Sequence, residues 1–195
     1  MSSITTAPPS TIPSTGRTIA RWMVSFAGFP AGGLAAMVLT GPVDSTASAI
    51  AGGLVTGAVL GAVQAWAMRA DRRLVAAWVV ATAVGLAIGL AGGASLVGFS
   101  TGLTDLAVQG AISGAAVGLA QAVVLWPRTG PIALAWPAYL AVVWAVGWTV
   151  TTVIGVSVAD QFTVFGSGGA LVVALLTTVL PVILNARRSA QRSDA

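Results

Sequence analysis

Chemistry in this chain of 195 residues has to rest on very few side chains. The nine basic residues are all Arg and the five acidic ones all Asp, and the chain contains no Lys, Glu, His or Cys. That inventory excludes disulfides, thiolate nucleophiles, haem or zinc held by His or Cys, and a Ser-His triad. What remains is mostly polar without being titratable. Gln64 and Gln121 lie inside apolar runs, and an amide in hydrocarbon is costly unless paired, so both must point inward. Two readings stand for them: interhelical hydrogen-bond glue, which is the expectation, or coordination of a polar ligand or ion at a bundle centre, with Thr178 as a diverged third member. Asp44, Asp105 and Asp160 fall once in each expected outer turn. They would ring a pore mouth and attract cations or, as expected here, belong to the Asp and Ser residues that cap free helix amides. Trp144 and Trp148 stand one helical turn apart, where they would stack on a ligand or, as expected, serve packing or lipid contact.

The elements that position these side chains are more apolar than a soluble fold tolerates. Hydrophobic residues make up 56% of the chain and charged ones 7%, against about 25% charged in an average soluble domain; the mean hydropathy is +0.93. Uncharged runs extend over Trp22 to Thr40, Ser48 to Met68, Leu74 to Val97, Leu106 to Trp126, Ile132 to Val158 and Phe162 to Asn185. Each is close to the ~20 residues needed to cross hydrocarbon and too long for a barrel strand. The expectation is an all-α integral membrane protein of six transmembrane helices. The sequence pI near 11.5 does not point to nucleic acid, because the charges fill gaps between apolar runs instead of forming a basic patch. With the N-terminus cytoplasmic, all nine arginines fall inside and Asp44, Asp105 and Asp160 outside, so the positive-inside rule predicts N-in, C-in. Trp22, Trp66, Trp78, Trp126 and Trp136 then read as an aromatic belt at the cytoplasmic side. Residues 1–17, rich in Ser, Thr, Pro and Ala, are expected to be a disordered cytoplasmic tail, 18–186 the six-helix domain and 187–195 a basic cytoplasmic tail. The first apolar run has transmembrane length and no convincing cleavage site, which argues against a signal peptide.

An internal repeat organises the runs. A shift of 57 residues superimposes Gly28 on Gly85, Gly32 on Gly89, Gly41 on Gly98, Gly53 on Gly110, Gly57 on Gly114, Gly61 on Gly118 and Gln64 on Gln121. The unit is a helical hairpin, so the six helices form three hairpins about an axis along the membrane normal, the third copy diverged and carrying Thr178 where the Gln would fall. Gly53, Gly57, Gly61 and Gln64 lie within roughly 80° of one helix face, as do Gly110, Gly114, Gly118 and Gln121. Gly85, Gly89 and Gly93 supply a matching groove. Small residues at this spacing let helix backbones approach closely, within one chain or at an oligomer or partner interface.

The stretch G-A-V-L-G-A-V-Q-A-W-A-M-R from Gly57 to Arg69, followed by A-A-W-V-V-A-T-A-V-G-L-A-I-G from Ala76 to Gly89, resembles uncharacterised bacterial multi-pass membrane proteins with a G-x-x-x-G-x-x-Q-W run, an Arg-containing loop and a W-to-G-x-x-x-G helix. Ala65 stands where that family usually has the Trp. The resemblance covers the second to fourth helices best and implies no activity. The absence of Lys and the richness in Ala, Val and Gly fit a bacterium of high genomic GC content. With no charge inside the runs, neither a buried acid-base pair nor a proton relay is expected. The expected function is that of a non-enzymatic inner-membrane protein, an accessory or structural subunit packing through glycine faces in the lipid bilayer against a membrane-protein partner or a second copy, with an apolar lipid or pigment as the ligand class and no particular cofactor implied. The alternative is a small-solute binding or transport component, since size and topology resemble the substrate-binding subunits of energy-coupling-factor vitamin transporters, without their motifs.

Overall fold

The computed structural model describes residues 15–155, 164 and 166–193, all of it helices and connecting turns. Residues 1–14, most of the expected N-terminal tail, lie outside the described residues, as does Asp160. The helices are α1 (Thr15–Val24), α2 (Gly28–Thr40), α3 (Thr46–Ala67), α4 (Arg72–Leu96), α5 (Leu103–Thr129), α6 (Trp136–Val153), α7 (Ser167–Leu176) and α8 (Val179–Ser193). Residues 15–17 therefore open α1, and the segment expected to be a basic tail continues α8 as far as Ser193.

Five helical stretches are long and apolar enough to cross a membrane: Thr15–Thr40, Thr46–Ala67, Arg72–Leu96, Leu103–Val153 and Ser167–Ala190. The sequence runs number six because the fourth stretch, of 51 residues, is two helices. A 3₁₀ segment, Gly130–Ala135, turns the chain after α5, and α6 runs back antiparallel: Gly110, Gly114 and Gly118 meet Trp144, Leu140 and Pro137 in descending order. Two other stretches are broken inside. Proline lacks the amide that bonds four residues back and its ring crowds that carbonyl; the 3₁₀ turn Ser25–Ala27 contains Phe26, four before Pro30, and the break between α7 and α8 is at Thr177, four before Pro181. The Leu180 amide takes the Thr177 carbonyl instead, at 3.1 Å.

Successive helices pack side by side from α2 through α3, α4, α5 and α6 to α7, and α1 closes the ring against α7 and α8. Glycines set most of the seams. A Cβ at Gly53 would lie 2.7 Å from Ala87 Cα, at Gly57 2.6 Å from Ala83 Cα and at Gly61 3.0 Å from Val79 Cα, so α3 presses directly on the α4 backbone. Gly85, Gly89 and Gly93 of α4 do the same to Val117, Ser113 and Gln109 of α5, with Cα distances of 2.8, 2.7 and 3.1 Å. Gly110 and Gly118 meet Trp144 O at 2.8 Å and Pro137 Cα at 2.6 Å, and Gly114 meets Leu140 O. On α2, Gly28 faces Leu60 Cα at 3.3 Å and Gly32 faces Thr56 O at 2.9 Å. The seam of α1 with α7 and α8 has no such glycine contact among the described residues and is joined by Trp22 instead.

Three aspartates stand at the starts of helices. Ser45 and Ser48 form a reciprocal capping box at the start of α3, and Asp44 accepts from the Ser48 hydroxyl at 3.1 Å. Asp105 lies in the first turn of α5 and accepts from the Ser100 hydroxyl. Asp71 caps α4, accepting from the Leu74 amide at 2.9 Å. That bond holds its carboxyl below the usual carboxylate range, with desolvation opposing the effect and Arg128 adding to it.

Candidate functional site

At the centre of the ring, three tryptophans each donate an indole N–H to a polar side chain on the helix preceding them around the ring. Trp78 of α4 donates to Gln64 Oε1 of α3 at 3.0 Å, and Trp136 of α6 to Gln121 Oε1 of α5 at 2.8 Å. Trp22 of α1 donates to Thr177 Oγ1 and Ala174 O, both at 3.1 Å. An indole nitrogen can only donate, which orients each amide: the Gln121 oxygen faces Trp136, and its Nε2 donates to Thr82 Oγ1 at 3.0 Å. Thr82 in turn donates to Trp78 O at 2.8 Å, so one chain of bonds links α6, α5 and α4.

Gln64, Gln121 and Thr177 line one cavity together with the three tryptophans and Trp144. Its volume is about 10 Å³, at the lower limit of the ~10–15 Å³ that one water molecule requires. The third polar member is Thr177, in place of Thr178. Thr178 is half-buried and its hydroxyl donates to Leu175 O of its own chain segment at 2.7 Å. A helix advances 100° per residue, so a register counted through the break at Thr177 lands one residue away from the inward face.

The expected aromatic belt divides. Trp66 and Trp126 are 54% and 48% exposed, whereas Trp22, Trp78 and Trp136 are buried in the core. Their donors explain the difference, since Gln64, Gln121 and Thr177 offer acceptors only inside. Trp144 and Trp148 are buried as well; Trp144 meets Phe29 edge-on at 5.9 Å, and the Trp148 ring lies 2.5 Å from the Cβ position of Gly110. Both fill space that the α5 glycines open.

Sequence reasoning passed over Gln109 and Ser113, one turn apart on α5 and 0% and 2% exposed. Neither amide atom of Gln109 nor the Ser113 hydroxyl has a hydrogen-bond partner among the described residues. Gln109 has Gly52 as its counterpart under the 57-residue shift, so the repeat that drew attention to Gln64 and Gln121 hid it. An isolated Gln in an apolar run was the available signal.

At one end of the bundle, arginines bind backbone carbonyls at or just past helix C-termini. Arg21 donates to Trp66 O at 2.8 Å and stacks on the Trp66 ring at 4.8 Å. Arg188 and Arg187 reach Met68 O and Arg128 O, each at 3.4 Å, and Arg128 pairs with Asp71 at 3.6 Å. Among the described residues no group of three or more Asp side chains gathers as a metal site would require. Compared with protein-family models, with curated proteins and with solved structures, the chain matches none.

Proposed function

We propose that this chain is a non-enzymatic, multi-pass protein of a bacterial inner membrane that serves as an accessory or structural subunit, acting through its outer surface while its interior stays closed. The observation that carries this reading is the packed centre, where three indole-to-polar bonds surround a cavity of about 10 Å³. Such a centre has no room for a vitamin-sized solute, which weighs against the transport alternative.

In this reading the fold-back of Leu103–Val153 supplies two crossings, so the chain crosses six times as three hairpins with both termini cytoplasmic. Support for the orientation comes from Arg21, Arg128, Arg187 and Arg188 bonding at one end and from the absence of arginine in the other turns. Support for the repeat comes from Trp22, Trp78 and Trp136, which stand within one residue of the 57-residue shift and make the same kind of bond. The test is purification in mild detergent followed by mass spectrometry, with solute uptake measured in parallel in proteoliposomes. A membrane protein recovered in fixed stoichiometry is expected; saturable uptake of a solute would overturn the reading.

A further inference from the structure

The bundle is tightly packed at its centre but leaves an apolar groove of about 220 Å³ on its flank near the arginine end, between the Gly130–Ala135 segment with the start of α6 on one side and α8 on the other. Buried Ala133, Trp136 and Leu180 form its floor, and Ile132, Tyr139 and Ile183 its walls. Trp136 and Tyr139 stack with centroids 5.6 Å apart, and the Tyr139 hydroxyl is committed to Leu176 O at 2.7 Å. The Trp136 indole N–H is turned to Gln121, so the groove meets the apolar part of both rings.

The rim has a different character. Thr129 lines the groove, Arg128 precedes it in sequence, and Arg187 lies one helical turn beyond Ile183. Arg187 donates to Arg128 O, which brings the two residues together where the groove ends. Asp71, paired with Arg128, balances one of the two charges and leaves the rim net positive. An apolar slot with two arginines beside its end matches an amphiphile with a hydrocarbon chain and an anionic head, and guanidinium groups bind phosphate oxygens in bidentate geometry.

We propose that this groove holds an acyl chain of an anionic phospholipid whose phosphate is bound by Arg128 and Arg187. Basic pockets between helices at the cytoplasmic side of a membrane recognise anionic head groups in this way. The proposal rests on the membrane-embedded reading given above and deepens it by naming the lipid class.

The test is thermal unfolding of the full chain in neutral detergent with added phosphatidylglycerol, phosphatidylcholine of the same acyl chains, or glycerol phosphate alone. Phosphatidylglycerol at a hundredfold excess over its Kd should raise the melting temperature by about 5 to 10 °C, phosphatidylcholine by less, and glycerol phosphate by nothing measurable. The pair R128Q and R187Q should make the two lipids equivalent, and A135F, which fills the groove, should weaken the response to both. R187Q alone, which leaves the Asp71 pair in place, guards against a double variant that fails to fold. Equal responses of the unaltered chain to both lipids, or a full response to glycerol phosphate, would overturn the proposal. Loss of the lipid effect in a protein that remains monodisperse in detergent rejects the lipid site alone, whereas recovery of the protein without membranes rejects the reading beneath it.

Discussion

Two Gln→Leu substitutions on the same helix, α5, should shift stability in opposite directions. Gln121→Leu removes the acceptor of the Trp136 indole and the donor to Thr82. Thr82 keeps its own bond to Trp78 O, but the Trp136 N–H, on a residue 9% exposed, has no other partner among the described residues. Leaving a buried donor unsatisfied costs about 1–3 kcal/mol, and interhelical bonds in membrane proteins measured by double-mutant cycles average about 0.6 with a maximum near 1.7 kcal/mol. The expected loss is therefore about 1–3 kcal/mol. Gln109→Leu breaks no bond among the described residues, where neither amide atom of Gln109 has a partner; it removes a desolvated amide and should stabilise the protein by about 1 kcal/mol or more. For a protein of this size about 1 kcal/mol corresponds to roughly 2–4 °C, so tryptophan fluorescence during heating in detergent resolves both effects. A double-mutant cycle of Gln121→Leu with Trp136→Phe should give less than the sum of the single losses, since both remove one bond. Destabilisation by Gln109→Leu of the size seen for Gln121→Leu would refute the reasoning, because it would show Gln109 paired to a ligand or water in the membrane.

Gly57→Ala and Gly114→Ala should each cost about 1–3 kcal/mol by overpacking, and the leucine variants more, since the added carbon meets the neighbouring backbone; Gly92→Ala, whose nearest neighbour is 4.0 Å away, should be neutral or stabilising, and unchanged melting of Gly57→Leu would place that face against lipid. Single cysteines at Asp44, Asp105 and Asp160 should react with an impermeant thiol reagent added to intact cells, and one at Arg72 should not; labelling at position 72 would sink the proposed topology. Because the Asp71 carboxyl titrates below its unfolded value, the stabilisation from its cap is complete above the ordinary carboxylate pKa and is lost as pH falls through the depressed one. A melting curve taken against pH should show that decline, and Asp71→Asn should flatten it.

Much of the architecture is legible in the chain because hydrocarbon imposes few choices: long uncharged runs must pair their backbone groups internally, and the described residues are helical where those runs lie. Gly53, Gly57 and Gly61 announce a close seam through spacing alone, and Ser45 with Ser48 announces the start of α3. The α4 cap at Asp71 is not legible in the same way, because a lone Asp among the arginines of a turn is equally a solvated charge or a helix cap until the Leu74 amide is seen to reach it.

The all-helical class, the spans long enough for a membrane and the inward direction of Gln64 and Gln121 follow from the chain alone, whereas the breaks upstream of Pro30 and Pro181 emerge only in the folded bundle. Tertiary packing sets which tryptophans turn inward, that Thr177 and not Thr178 completes the central set, that Gln109 and Ser113 are buried without partners among the described residues, and where the flank opens into a groove. The physical reason is that in such a chain large hydrophobic residues cover the surface as well as fill the core, so composition cannot tell an inward face from an outward one. That distinction follows from which backbone each glycine lets approach and from which acceptor each indole can reach.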